Sequence, residues 1–322
     1  MTAEAPAEQP MGADATNTPR GVQHCALLYA DEQEFLAGAL PHLREGIEAG
    51  DPAFAVTPRQ EAEVLRDSLG RDAAAVQFID PSDFYSTPVR AMAGMIAVAR
   101  TLGSRPAWVV ASADWSKYPD AMEWVRYDSI FNMGFGNADF RGYCCYNTAV
   151  LSPDVISLVR QTHPTLHEGA RLRENPDFRD PRDFVADVDS TPLPPSPRSA
   201  ATMAVRPTDL HAVRAFVTER AKSCGIAGEA LYNLLVAVTE VATNALRHGR
   251  APVSLRVWPD NGLVCEITDS GHWQPEEFLS WVPPESALKS GFGIWGVGML
   301  CDTVQVRTGP KGTAVRLRTC RE

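Results

Sequence analysis

Glu240 and Asn244 are the two residues whose types and spacing point most directly to chemistry in this sequence. They lie four residues apart in the stretch AVTEVATNALRHG, so on a helix both side chains project from the same side. Carboxylate and carboxamide oxygens suit magnesium, a hard cation that takes oxygen ligands and keeps several waters. The pair therefore indicates a hydrated magnesium ion, the alternative being two polar residues on the solvent face of an ordinary helix.

The residues around this pair predict the helix that holds it. Apolar side chains recur there at helical spacing, at Leu231, Leu234, Leu235, Val238, Ala242 and Ala245. Such a pattern is typical of a helix that buries one face in a core. Glu240 and Asn244 are then expected at the rim of the buried face.

A second candidate site follows a segment that reads as a strand, residues 263–268. Asp269 stands at the end of this segment and is followed by Ser270 and Gly271. A carboxylate in that position accepts hydrogen bonds from an exocyclic amine. Glycine lets a ligand ring approach the backbone closely. This stretch therefore suits the base of a nucleotide.

A glycine-rich stretch near the end of the sequence is the third candidate. Residues 290–300 read SGFGIWGVGML, and the glycines lead into an apolar helical run. Free backbone amides at such a junction bind anions such as phosphates. Dinucleotide-binding folds use the same glycine spacing after their first strand, and the late position here excludes that interpretation. Strands at residues 303–308 and 314–319 follow, joined by a turn that ends at Thr313.

These motifs, in this order, resemble the GHKL ATPase fold shared by gyrase, Hsp90, MutL and the histidine kinases. The sequence around Glu240, with His248 and Gly249 after it, is most similar to that of the anti-sigma-factor serine kinases. Those regulators switch between a sigma factor and an anti-anti-sigma factor. The resemblance covers roughly residues 202–320 and implies an α/β sandwich that binds ATP and Mg²⁺.

The resemblance also implies a role for individual residues. Glu240 matches the general base, Asn244 the magnesium ligand and Asp269 the residue that reads adenine. Four glycines match those around the phosphates, namely Gly271, Gly291, Gly293 and Gly296, and Thr313 matches the last motif of the family. The polar stretch between Gly271 and Gly291, which contains prolines, fits a mobile lid over a nucleotide. Trp295 departs from the family pattern, which has small or aliphatic residues there, and is expected to crowd this lid.

Three functions remain open. The first is an ATP-binding regulator that sequesters a sigma factor, phosphorylates a STAS-type anti-anti-sigma protein on Ser or Thr, or does both, and is then a protein serine/threonine kinase of the GHKL type. The second is a nucleotide-binding interaction module without transfer activity. The third is the catalytic half of a histidine kinase, which needs paired helices with a phospho-accepting histidine. The spacer before the ATPase region has neither helical periodicity nor a histidine.

With 322 residues, the chain exceeds a typical single domain, so two domains are expected. Between them, residues 191–197 read TPLPPSP, and proline at this density prevents helix and sheet ladders. The predicted organisation is a disordered leader at residues 1–20, a sensory domain at 21–185, a proline-rich linker at 186–202 and an ATPase domain at 203–322.

The net charge of −10 disfavours direct binding to nucleic acid, because the phosphate backbone repels an acidic protein. No run of about 20 apolar residues occurs that would span a membrane. The leader also lacks the basic start and apolar block of a secretion signal, so a cytoplasmic protein is expected. Seven cysteines without C-x-x-C spacing argue against a disulfide framework and against a zinc ribbon.

Strand-like and helix-like segments alternate throughout the first domain. The series begins with a strand at residues 24–30 and a helix at 32–48, and it ends with a strand at 142–150 and a helix at 153–160. This alternation predicts an α/β fold, a doubly wound and mostly parallel sheet with helices on both faces. No GxxxxGK[ST] phosphate loop occurs, so P-loop chemistry is excluded.

Several features of this domain resemble the MEDS sensory domain, which has a RecA-like core without the phosphate loop. They are His24-Cys25, Tyr29, Trp115, Tyr127-Asp128, Asn132, Tyr143-Cys144-Cys145-Tyr146, and His163-Pro164 with His167. The resemblance covers roughly residues 20–185 and implies that the domain senses a small organic ligand.

Six imidazole and thiol side chains are candidates for the sensing site: His24, Cys25, Cys144, Cys145, His163 and His167. If they converge they form a metal or redox site, because these groups are soft to borderline ligands. The alternative is that the cysteines are small buried hydrophobes and the histidines are hydrogen-bonded surface or hinge residues. The sequence leaves the sensed ligand and the oligomeric state open, a homodimer included.

Overall fold

Two sheets with their covering helices account for the residues that the computed structural model describes, which are 21–103, 105–112, 121–133, 139–168, 171–272, 281 and 293–320. The helices are α1 (Glu32–Glu48), α2 (Arg59–Leu69), α3 (Pro81–Phe84), α4 (Pro88–Leu102), α5 (Ala121–Phe131), α6 (Pro153–Thr162), α7 (Pro181–Ser190), α8 (Leu210–Ser223), α9 (Gly228–His248) and α10 (Gly293–Leu300). The strands are β1 (Val22–Tyr29), β2 (Ala53–Val56), β3 (Val76–Ile79), β4 (Ala107–Ser112), β5 (Phe140–Asn147), β6 (Thr165–Glu168), β7 (Arg171–Glu174), β8 (Ala201–Val205), β9 (Val253–Pro259), β10 (Gly262–Asp269), β11 (Thr303–Gly309) and β12 (Gly312–Cys320).

The first sheet has seven strands in the order β3-β2-β4-β5-β1-β6-β7. All neighbouring strands are parallel except β6 and β7, which are antiparallel. Helices α1 and α2 pack on one face, and α4, α5 and α7 pack on the other. Strand β4 reads AWVVAS and is buried throughout, as expected for a central strand covered on both faces. The prediction of a doubly wound, mostly parallel sheet is confirmed.

The second sheet has five antiparallel strands in the order β11-β12-β10-β9-β8. Helices α8, α9 and α10 cover one face and share a single hydrophobic cluster with its strands. The apolar stripe of α9 lies in this cluster, with Leu234, Val238 and Ala242 fully buried. The predicted α/β sandwich is confirmed.

Two tight turns fix the register of the second sheet. Asn261 and Gly262 connect β9 to β10 with positive φ angles of 47° and 136°. A side chain at Gly262 would begin 2.2 Å from the Thr319 carbonyl oxygen, so only glycine fits there. Gly312, at φ +117°, has the same role before β12, where an added Cβ would lie 1.9 Å from the Asp269 carbonyl oxygen.

The irregular segment between the domains is shorter than the predicted linker of residues 186–202. Helix α7 continues to Ser190, and β8 already begins at Ala201. The proline-rich part lies against the second sheet, where Arg316 donates a hydrogen bond to the Pro194 carbonyl oxygen at 2.7 Å. The predicted leader at residues 1–20 lies outside the described residues.

The seven cysteines all lie in the described ranges, and none of them forms a disulfide there. Among the described residues, none of the helices is both long and apolar enough to cross a membrane.

Candidate functional site

Glu240 and Asn244 lie on consecutive turns of α9, both half-buried, as the sequence predicts. Asn244 Nδ2 donates a hydrogen bond to Glu240 Oε1 at 3.2 Å. This contact orients the carboxamide and leaves its oxygen, Oδ1, as the atom available to a cation. The second carboxylate oxygen, Glu240 Oε2, has no hydrogen-bond partner among the described residues. The pair therefore presents two oxygen acceptors on one side of α9.

Asp269 ends β10 and its carboxylate is held by the backbone. Oδ1 accepts hydrogen bonds from the Arg250 amide at 3.2 Å and the Gly271 amide at 2.6 Å. Its other oxygen, Oδ2, makes no hydrogen bond within the described part of the chain. The side chain is thus fixed in place while one oxygen stays available as an acceptor, which is what recognition of an exocyclic amine requires.

Glycines beside Asp269 let the backbone pack closely against its carboxylate. At Gly249, directly after α9, an added Cβ would lie 2.5 Å from Asp269 Oδ1, and at Gly271 it would lie 2.8 Å from the same atom. Thr313 is paired with Asp269 across the sheet, and its hydroxyl donates to the Gly271 carbonyl oxygen at 3.0 Å. The structure therefore joins the end of α9, Asp269, Gly271 and Thr313 in one cradle, in which side chains at the two glycines would collide with the Asp269 carboxylate.

Helix α10 packs beside α9 and carries two of the predicted phosphate-site glycines. Gly293 begins this helix with φ +49°, and Gly296 is buried one turn later. Val297 joins the hydrophobic cluster that contains the buried face of α9. Gly291 and most of the predicted lid between Gly271 and Gly291 lie outside the described residues.

The opposite side of α10 packs against the first domain. Trp295 and Met299 contact the hydrophobic cluster formed by α4, α5 and α7. Gly298 lies so close to Val89 of α4 that a Cβ would come within 2.7 Å of Val89 Cγ2. Trp295 thus fills space between the domains, and the lid that it is expected to crowd lies mostly outside the described residues. A tryptophan is accommodated here because a neighbouring domain supplies a surface for it.

Further contacts tie the same region to the first domain. Arg90 of α4 donates two hydrogen bonds to the Met299 carbonyl oxygen, at 3.1 and 2.8 Å. This carbonyl lies at the end of α10, where helix carbonyls lack intrahelical partners and attract cations. Trp281, from the predicted lid, is 4% exposed in the first-domain cluster. The guanidinium of Arg126 stacks 5.3 Å from its ring centroid.

A buried ion network crosses the same interface. Glu123 of α5 contacts Arg126 at 2.6 Å and Arg307 of β11 at 2.8 Å. Arg126 also pairs with Asp189 of α7 at 2.7 Å. Burial alone would raise the pKa of Glu123, but the charges of the two arginines outweigh it and the pKa is lowered. Burial raises the pKa of Asp189 despite the same two arginines. Nothing local in the sequence signals this network, because Glu123 and Arg307 are 184 residues apart.

The six sensory candidates do not converge. Cys144 and His24 lie in contact, at 3.2 Å between Sγ and Nε2, and the rings of His24 and His163 are 4.0 Å apart. The other three, Cys25, Cys145 and His167, lie on the opposite face of the sheet. Successive strand residues point to opposite faces, so neighbours in the sequence such as Cys144 and Cys145 separate in space.

Asp128 of α5 joins His24, Cys144 and His163 in a buried cluster whose donor atoms all lie within 4.8 Å of one another. Burial, and then the His163 charge, lowers the pKa of His24 well below its usual value. Burial also lowers the pKa of His163 to about 4 and raises that of Asp128 to about 7. Asp128 was not among the candidates, although an acid four residues before Asn132 repeats the Glu240 and Asn244 spacing.

Two family models match this chain. The histidine kinase-like ATPase domain matches residues 203–319, and MEDS, the methanogen/methylotroph DcmR sensory domain, matches residues 23–164. No curated protein matches it. The second match includes all four members of the buried cluster.

Among solved structures, the chain is similar to the RsbU and RsbW domains of Rv1364c from Mycobacterium tuberculosis, at 18% identity and a TM-score of 0.28. That likeness covers 38% of this chain and 34% of the other. A histidine kinase domain from the blue-light activated histidine kinase of Erythrobacter litoralis EL346 is also similar, at 18% identity and a TM-score of 0.23, over 53% of this chain and 76% of that one. At such low TM-scores neither likeness carries weight for this chain, and the assignment follows from the two family models. The chain joins a MEDS sensory domain to a histidine kinase-like ATPase domain.

Proposed function

We propose that this protein is an ATP-dependent regulator of the anti-sigma-factor type, controlled by its sensory domain. Its ATPase domain would sequester a sigma factor, phosphorylate a STAS-type anti-anti-sigma protein on Ser or Thr, or do both. The match to the histidine kinase-like ATPase domain supports ATP binding. The similarity of the Glu240 helix to the anti-sigma-factor serine kinases supports the choice of partner.

The cradle around Asp269 fits an adenine nucleotide. Asp269 Oδ2 would accept the exocyclic amine, since Oδ1 is occupied by the Arg250 and Gly271 amides. Glycine at positions 249 and 271 lets the backbone pack closely on Oδ1, because an added Cβ would lie 2.5 and 2.8 Å from that oxygen. Asn244 would hold Mg²⁺ through Oδ1, and Gly293 and Gly296 would contact the phosphates. Bound ATP supplies the phosphoryl group, and Mg²⁺ neutralises charge on its phosphates.

Glu240 is the residue that would make the site a kinase. Its Oε2 would accept the proton of the partner's hydroxyl, while Oε1 stays hydrogen-bonded to Asn244. A general base works when it lies within hydrogen-bond reach of the proton that it removes. The Glu240 and Asn244 pair is the single observation that carries the proposal, because the two side chains are hydrogen-bonded on one side of α9, where Glu240 would act as the base and Asn244 as the cation ligand.

Capture of partners by the full chain, with ATP and then with ADP, tests the proposed class. We expect a sigma factor or a small STAS-type protein to be retained with an affinity that differs between the two nucleotides. Identical retention of such a protein with ATP, ADP and no nucleotide would contradict nucleotide-controlled partner switching. Transfer activity is a separate question, addressed by Glu240.

Asp269→Asn is expected to weaken adenine nucleotides by about 1–3 kcal/mol, because a charge-assisted hydrogen bond becomes a neutral one. The asparagine oxygen can still accept the two backbone amides, so the fold around the site should persist. Isothermal titration calorimetry with ATP and Mg²⁺ measures the change.

Asp260→Asn is the matched control for this substitution. Asp260 lies in the turn before the same strand and pairs with Arg318 at 2.9 Å, with its side chain half exposed. Its replacement should leave nucleotide affinity unchanged. Equal affinity in the Asp269 variant and the wild type would remove Asp269 from adenine recognition.

A further inference from the structure

The buried cluster in the sensory domain has the composition and geometry of a metal site. We propose that it binds one zinc ion through four side chains, those of His24, Asp128, Cys144 and His163. They come from four different elements, β1, α5, β5 and the residue that follows α6. This inference concerns the first domain and does not depend on what the ATPase domain does.

The distances suit a tetrahedral ion. All four donor atoms lie within 4.8 Å of one another, and His24 Nε2 is already 3.2 Å from Cys144 Sγ. Zinc bonds of about 2.0–2.3 Å place neighbouring donors about 3.3–3.6 Å apart. The widest pair therefore has to close by about one ångström, which small side-chain rotations provide.

The imidazole of His24 presents a lone pair to this cluster. Asn132 Nδ2 donates to three backbone carbonyl oxygens, of Asp128, Ser129 and Thr162, at 3.0, 3.1 and 2.7 Å. Carbonyls only accept, so the amide orientation is fixed and Asn132 Oδ1 must be the acceptor facing His24 Nδ1 at 3.1 Å. His24 therefore carries its proton on Nδ1, and Nε2 is left as a metal ligand.

The ring of His163 is oriented in the same way by a different partner. Its Nδ1 lies 2.9 Å from the Val159 carbonyl oxygen and must donate to it. Its Nε2 faces the Tyr146 hydroxyl at 3.4 Å, but the single proton of that hydroxyl is donated to Asp128 Oδ2 at 2.6 Å. Metal-binding histidines typically donate their other ring N–H to a carbonyl or carboxylate, and both histidines of this cluster do so.

The charge of the cluster also calls for a cation. Asp128 is 2% exposed, and no Lys or Arg in the described ranges forms an ion pair with it. A buried carboxylate without a counter-charge is costly. One divalent ion with one carboxylate and one thiolate sums to zero, provided that the Cys144 thiol releases its proton to solvent on binding.

Zinc is the metal that these donors favour. Magnesium and calcium prefer oxygen ligands, whereas imidazole nitrogen and thiolate sulfur suit zinc in a four-coordinate site. Four protein donors close the coordination shell, so the site is built for binding and conformational control and leaves no open position for catalysis.

Elemental analysis of the full chain tests the site. The protein is purified under reducing conditions without chelator from cells grown with zinc, and about one zinc per chain is expected. Cys144→Ser should reduce the zinc content at least about tenfold. Cys145→Ser is the matched control, because this thiol belongs to the next residue of the same strand and packs on the other face. It should retain the zinc.

Cobalt(II) substitution identifies the donors directly. The wild type and Cys145→Ser should both show the intense visible bands of tetrahedral cobalt with a thiolate charge-transfer band in the near ultraviolet. That band should be lost in Cys144→Ser. If Cys144→Ser does not fold, retention of the band by both Cys25→Ser and Cys145→Ser assigns it to Cys144 among the cluster's neighbouring thiols. Wild-type protein that holds neither zinc nor tetrahedral cobalt overturns the proposal, and so does a charge-transfer band that survives in Cys144→Ser.

Discussion

Glu240→Gln is expected to slow phosphate transfer to a serine or threonine hydroxyl by about 10²–10⁴-fold, the usual cost of removing a positioned general base. Glutamine keeps the size of the side chain and can still bond to Asn244 through its carboxamide. Nucleotide affinity should therefore change little. Single-turnover transfer of labelled phosphate from ATP to a STAS-type partner measures the rate, and calorimetry measures the affinity.

Glu229→Gln gives the matched control for this experiment. Glu229 lies in the first turn of the same helix, where it is exposed, so the same change of charge should leave the transfer rate unaltered. Transfer by Glu240→Gln at the wild-type rate would limit Glu240 to a structural role. If the wild type binds its partner but transfers nothing to it, the protein is a nucleotide-dependent interaction module.

Glu123→Gln is expected to cost about 3–5 kcal/mol in the free energy of unfolding, because it leaves the two buried guanidinium groups of Arg126 and Arg307 to share the carboxylate of Asp189. Glu123 is 1% exposed and lies between Arg126 and Arg307, which are 4% and 7% exposed. The loss of charge should also loosen the interface, since Arg307 belongs to the ATPase domain. Urea denaturation of the full chain measures the stability, and proteolysis within residues 191–200 measures the loosening.

Glu219→Gln removes the same charge from a surface pair with Arg220, in which Glu219 is 80% exposed. Surface pairs contribute little, so its effect should stay within about 0.5 kcal/mol. A cost below about 1 kcal/mol for Glu123→Gln, with unchanged proteolysis, would mean that the network does not hold the domains together.

The arrangement of the residues in the candidate site could be predicted from sequence because its signals are local. The helical spacing of Glu240 and Asn244, and the glycines beside Asp269, each constrain a single turn or strand end. The second sheet then brings Asp269 opposite Thr313 through hairpins with recognisable turns. Helix α1 was predicted with the bounds Glu32–Glu48 that it has in the structure.

Features that depend on distant contacts escaped prediction. Strands β6 and β7 are four residues each, and β7 reads RLRE, which has no strand-like alternation of buried residues. Cys144 and Cys145 are successive residues of β5, so they point to opposite faces of the sheet. The sequence alone does not say which of these two faces also carries His24 and His163. The packing of Trp295 against the first domain also escaped prediction, because the cluster that it contacts is formed by α4, α5 and α7, far away in the chain.

The two sides of helix α10 pack into different hydrophobic clusters. Val297 belongs to the cluster of the second sheet, whereas Trp295 and Met299 pack against the cluster of the first domain. Thermal unfolding of either cluster removes the packing from one side of this helix. The two domains should therefore unfold in one cooperative transition. A nucleotide present at about 100 times its dissociation constant adds about 2.7 kcal/mol to the folded state. Because α10 couples the domains, this stabilisation would also raise the temperature at which the sensory domain around Trp124 unfolds. A ligand of the sensory domain would in turn raise the unfolding temperature of the ATPase domain.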